Sequence, residues 1–154
     1  MAPEIVLATR FGASSAEPAR VAANLARQVG GHITVLYVAT ELEAVELGAA
    51  EAGIDPSAER SRIEERIKAE LKAFADEFLA GLPVGVRVVE GHVAERVTQA
   101  AAELNAHYIV VGTRGRGQLA RLILGDTTHS ILQHAPCPVV VVPLHPPPET
   151  GPAR

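Results

Sequence analysis

Short, β-branched runs alternate along this chain with segments whose apolar residues recur every three or four positions. The strand-like runs are Glu4–Thr9 (EIVLAT), His32–Ala39 (HITVLYVA), Val84–Gly91 (VGVRVVEG), His107–Gly112 (HYIVVG) and Pro138–Pro143 (PVVVVP). Most are near-continuously apolar, which is the pattern of strands buried on both faces. The first helical segment, Ala19–Val29, places Val21, Leu25 and Val29 on one face and stops at Gly30-Gly31. The second carries the stripe Ile63, Ile67, Leu71, Phe74, Phe78, with Asp55 as its predicted cap and Pro56 at its first position, and ends near Gly81. A third helix is predicted from about Ala94 to Leu104, turning Val97, Ala101 and Leu104 inward, and a fourth from about Thr127 to His134. Strand and helix alternating with short connections predict an α/β fold, a doubly wound parallel sheet with helices on both faces.

Two stretches lack this order. Thr40–Asp55 (TELEAVELGAAEAGID) is acidic and alanine-rich without a firm period, and reads as a flexible lid or an extra helical turn. The tail at 145–154, within PLHPPPETGPAR, has too much proline and too little apolar surface to fold and reads as disordered, leaving one domain over 1–144. With 154 residues, 47% of them hydrophobic, the chain can bury one substantial core. The formal net charge of −4 gives no global footprint for nucleic acid or an anionic membrane. No apolar run approaches a membrane span and no signal pattern opens the chain, so the expected location is the cytoplasm. The single cysteine, Cys137, cannot close an intrachain disulfide and reads as a small packed residue.

The chemistry concentrates in VGTRGRGQLARLILGDTTHS, Val111 to Ser130. In an open parallel sheet, ligands sit outside the carboxyl ends of the strands, where the strand order reverses. There Gly112, Gly115 and Gly117, lacking Cβ atoms, let backbone N–H groups approach an anion, with Arg114 and Arg116 between them. Gly125 leads into the fourth helix, whose first N–H groups and dipole favour negative charge. The loop is neither a Walker loop nor a dinucleotide fingerprint, because no lysine precedes a Ser or Thr and the G-x-G-x-x-G spacing is absent. His129 and His134, five apart, do not share a helix face as a metal pair would. Ser14 and Ser15 read as caps of the first helix, and His92 as a solvated rim residue.

Gly112, two residues, Gly115, nine residues, Gly125 is the spacing by which this chain resembles the universal stress protein family. The resemblance extends to IVLAT at the start, GHVAERVTQAAAELNAHYIVVGTRGRG in the middle and LILGDTTHSILQHAPCPVVVV near the end. It implies five parallel strands in order 3-2-1-4-5, a homodimer, and, in one branch of the family, ATP binding. It places Val38, Gly112, Arg114, Gly115, Gly117, Gly125, Thr127 and Thr128 around a nucleotide site, with ATP or another adenine nucleotide as ligand. Two positions depart from the ATP-binding pattern. The family's ATP binders end the first strand with Asp where this chain has Arg10, and follow the last glycine with Ser or Thr where it has Asp126.

A carboxylate facing phosphate is repulsive, so ATP binding is expected to be weakened or absent. Asp126 is expected to cap the fourth helix and to meet Arg10 in the crevice, acting as a substitute for a phosphate. The leading functional reading is a dimeric regulatory module that acts through protein partners. An adenine-nucleotide sensor is the alternative, and ATP hydrolysis a weaker third, since no base or P-loop lysine is in place. With that strand order, Val139, Val140, Val141 and Val142 lie on an edge strand, which pairing with a second copy would cover.

Overall fold

Continuous valine, isoleucine and leucine in the strands requires cover on both faces of the sheet, and the fold supplies it. A computed structural model describes residues 2–10, 15–113 and 125–143. The order is β1 (Glu4–Ala8), α1 (Ala16–Val29), β2 (His32–Val38), α2 (Glu41–Ala52), α3 (Ser57–Phe78), β3 (Val84–Val89), α4 (Val93–Glu103), β4 (Tyr108–Gly112), α5 (Asp126–His134) and β5 (Val139–Val142). The sheet is five-stranded, in the order β3-β2-β1-β4-β5. Every neighbouring pair is parallel.

Alternation along each strand splits the core in two. Ile5, Leu7, Ile33 and Val35 pack with the alanine face of α1 (Ala19, Ala22, Ala23, Ala26) and with Ile67, Leu71 and Phe74 of α3. Val6, Leu36, Ile109 and Val111 face the other way, onto Val97, Ala100 and Ala101 of α4 and Ile131 of α5. The predicted stripe on α3 is the buried one, with Ile63 and Phe78 at its half-buried margins. Leu104 likewise packs at the edge of the α4 layer.

Three local expectations are corrected. The Thr40–Asp55 connection is neither a lid loop nor a single turn: it holds α2, with Leu42 and Ala49 buried. Its alanine, leucine and glutamate content favours helix without needing a strong apolar period. Pro56 stands at the N-cap position of α3 instead of its first helical position. Asp55 still does the capping chemistry, because its Oδ1 accepts from the Ser57 hydroxyl at 2.6 Å and the Ser57 N–H at 3.0 Å, which holds its carboxyl below the usual range. Ser15 occupies the N-cap position of α1 in a helical conformation and makes no side-chain cap bond. Ser14, Arg114, Gly115, Arg116, Gly117 and the tail at 145–154 lie outside the described residues.

Polar ties hold the amino-terminal edge of the sheet. Glu4 accepts from the Thr34 hydroxyl and pairs with Nδ1 of His32 at 2.8 Å, while its own N–H donates to Nδ1 of His107 at 3.1 Å. These bonds link β1 to β2 and to the start of β4. Among the described residues, no helix is long and apolar enough to cross a membrane.

Candidate functional site

The strand order reverses between β1 and β4, so the crevice lies where Arg10 leaves β1 and Gly112 ends β4. Gly112 closes β4 opposite Val142, and Thr113, almost fully buried, donates its N–H to the Val142 carbonyl at 2.9 Å. Gly125 stands at the N-cap of α5 in an extended conformation, φ −67° and ψ 163°, with no side-chain cap. Asp126 is therefore the first helical residue and not the cap, which corrects the expectation from sequence. A carboxylate in the first turn remains favourable to the helix dipole.

The two threonines separate. Thr128 turns into the protein, and its hydroxyl is 3.5 Å from the Gly112 carbonyl, so it braces α5 against the end of β4. Thr127, beside it in the first turn, is half-buried. Val38 ends β2 as part of the core, and its carbonyl accepts from the Thr40 N–H at 3.1 Å. The Ala39 N–H donates to the Val89 carbonyl at 2.7 Å, so the backbone beside Val38 is already bonded to β3.

Arg10 and Asp126 are both exposed, and no ion pair joins them. The expected substitute-ligand pair is therefore absent. The Arg10 charge acts instead on Tyr37, at the neighbouring end of β2. The Tyr37 hydroxyl donates to the Glu41 carboxylate, at 2.9 and 3.0 Å from its two oxygens, across the turn from β2 into α2. Burial first, then the bond to Glu41 and the charges of Glu41 and Glu70, push the Tyr37 hydroxyl up to about 12, with Arg10 opposing them. Tyr37 and Glu41 were not singled out by sequence; the signal available was an aromatic and a carboxylate four residues apart across a strand end.

A measurable consequence follows from the sign of that shift. The fold favours the neutral phenol, so this contribution to stability is complete below the ordinary value of 10.0 and is lost as pH rises through about 12. The chain has two tyrosines and no tryptophan, so phenolate absorbance can be followed directly. Tyr37→Phe should remove the component that titrates near pH 12 and flatten the loss of stability between pH 10 and 12. An unchanged titration curve would show that the alkaline component belongs to another group.

Elsewhere the structure supports structural roles. Cys137 is half-buried in the α4–α5 layer, and burial raises its thiol above the ordinary value, which keeps it protonated at neutral pH. His134 Nδ1 lies 2.9 Å from the Ser130 carbonyl, within its own helix, and His92 is an exposed N-cap of α4. Among the described residues, no group of three or more His, Cys, Asp or Glu side chains is placed to hold a metal.

This arrangement has counterparts among known proteins. A universal stress protein of Methanocaldococcus jannaschii is 30% identical over 146 residues, 90% of this chain and 81% of that protein. The solved structure of hypothetical protein MJ0577 superposes with a TM-score of 0.72 at 20% identity, covering 93% of this chain and 96% of the other. A universal stress protein from Archaeoglobus fulgidus, solved in complex with dAMP, gives 0.62 at 18% identity over 92% and 98% of the two chains. The model of the universal stress protein family matches residues 1–143. With that match spanning β1 through β5, the chain belongs to the universal stress protein family.

Proposed function

We propose that this chain is a regulatory universal stress module that dimerises through β5, acts through protein partners, and has weakened or absent ATP affinity. The observation that carries the reading is the position of Asp126. It is the exposed first residue of α5, at the helix end that would have to receive phosphate, and no cation pairs with it among the described residues. An uncompensated carboxylate within a few ångströms of a phosphate costs enough to lower affinity by roughly tenfold or more.

Because Arg10 does not neutralise Asp126, the two substitutions separate. Calorimetric titration with Mg-ATP should give weak or undetectable binding to the parent chain and a gain of roughly tenfold or more for Asp126→Ser alone. Arg10→Asp alone adds a second negative charge to the crevice and should gain nothing. Micromolar binding by the parent would overturn the reading.

The alternative reading is an adenine-nucleotide sensor, favoured by the Gly112, Gly115, Gly125 spacing and by the dAMP complex of the A. fulgidus relative. With no tryptophan and two tyrosines the chain absorbs little at 280 nm, so a nucleotide retained through purification would dominate the ultraviolet spectrum and decide for the sensor.

A further inference from the structure

The outward face of α2 is acidic and apolar at once. Leu47 and Ile54 are 62% and 65% exposed, the most exposed large hydrophobics among the described residues. At 3.6 residues per turn, Leu47 stands at the centre of the face opposite buried Leu42 and Ala49. Glu43 and Glu51 lie one turn before and after it, and exposed Ala44 and Ala50 complete the surface. Ile54 follows past Gly53, which adopts φ +67° to end the helix, and the Ile54 N–H returns to the Ala49 carbonyl at 3.0 Å.

The charge on this face is left uncompensated. From Gln28 to Glu59 the chain contains no lysine or arginine. Glu46, on the flank of α2, is engaged by Arg60 of α3 at 2.9 Å, and Arg60 also binds Glu90 at 2.8 Å, so the helix is anchored from its inner side. Glu43 and Glu51 make no ion pair among the described residues. The last turn of α2 carries no basic residue, so the negative end of its dipole adds to the glutamates at the place where Ile54 is exposed.

We propose that this face of α2 is a docking surface for a basic amphipathic helix of a partner protein. The partner's apolar row covers Leu47 and Ile54 while its lysines or arginines meet Glu43, Glu51 and the carbonyl end of α2. Apolar residues alone would suit any greasy surface; flanking carboxylates with a helix C-terminus that carries no basic residue select a cationic one. The proposal extends the reading of the chain as a module that works through partners, and it depends on neither the nucleotide crevice nor the β5 edge.

The probe is a labelled synthetic peptide of about fourteen residues, long enough for a short helix, with leucines at helical spacing and lysines elsewhere. A scrambled peptide of the same composition, without an apolar stripe, serves as the control. Fluorescence anisotropy should show the striped peptide binding roughly tenfold more tightly than the scrambled one. The double variant Leu47→Ser, Ile54→Ser should lose about tenfold, and Glu43→Gln, Glu51→Gln should weaken binding and flatten its salt dependence. Glu95→Gln, at an exposed position on α4, should change neither. All five positions are exposed, so thermal unfolding should be near that of the parent. Absence of binding, equal affinity for both peptides, or insensitivity to the Leu47 and Ile54 changes would overturn the proposal. A change in sedimenting mass with Leu47→Ser, Ile54→Ser would overturn it in favour of a second copy as occupant. Every arm is run without nucleotide, so failure here leaves the Asp126→Ser titration to decide the crevice on its own.

Discussion

Ile5→Ala should lower the unfolding free energy by about 2–5 kcal/mol and the melting temperature by roughly 4–20 °C for a chain of this size. Ile5 is fully buried in β1, the central strand, with β2 on one side and β4 on the other. Its side chain faces α1 and α3, where the alanine face of α1 brings a helix backbone close to the sheet. A Cβ placed on Gly31 would stand only 3.3 Å from the Ile5 Cδ1 and 3.0 Å from the Pro3 carbonyl oxygen, so little space is available around this residue. Neighbours on two hydrogen-bonded strands cannot move in to fill the gap left by truncation, which is why the upper part of the range applies. Leu132→Ala, on the exposed side of α5 at 41% exposure, should cost well under about 1 kcal/mol. Thermal unfolding followed by circular dichroism compares the two, and equal melting temperatures would contradict the packing described for β1.

How much of this was readable in advance depends on the range of the forces involved. The five strands stand within a residue or two of the runs that announced them, because uninterrupted valine and isoleucine has few other uses where no described helix can cross a membrane. The stripe on α3 was equally plain, since Ile67, Leu71 and Phe74 recur at helical spacing and are the residues buried. In contrast, α2 was not recognisable as a full helix: it buries only Leu42 and the small side chain of Ala49 in the core while Leu47 points to water, so its apolar residues mark no single face.

The candidate site divides in the same way. Arg10 and Asp126 were visible as departures from a spacing, but whether they meet depends on where β1 and α5 point their first free residues, and no local pattern encodes that. Asp126 looked like a cap because carboxylates favour that place; Gly125 takes it through an extended backbone, which places Asp126 one residue further along. The bonds from Glu4 to His32 and Thr34 join strands that are distant in sequence, and follow only once β1 and β2 are in register with Glu4 opposite His32.

With the proposed dimer formed through β5, Val141→Pro should give a monomer while leaving the fold intact. β5 bonds β4 alone among the described strands. The Pro138 carbonyl accepts from Ile109 N–H at 3.0 Å and the Val142 carbonyl from Thr113 N–H at 2.9 Å. Backbone groups alternate in direction along a strand, so residues 138, 140 and 142 turn toward β4, and the N–H and carbonyl groups of Val139 and Val141 turn toward the open edge. Flat valine edges invite strand pairing, and a two-fold copy of β5 would use these groups and extend the sheet across the axis. Proline at 141 removes one outward donor per protomer and no bond to β4, which is where an edge strand tolerates it. Two lost bonds at about 1–2 kcal/mol each raise the dissociation constant by roughly 30- to 1,000-fold. Val141→Thr, which keeps the N–H and the β-branch, should stay dimeric. Sedimentation equilibrium should give twice the 16.2 kDa chain mass for the parent and for Val141→Thr, and the single mass for Val141→Pro. A monomeric parent, or a Val141→Pro variant that remains a dimer, would show that β5 is not the interface.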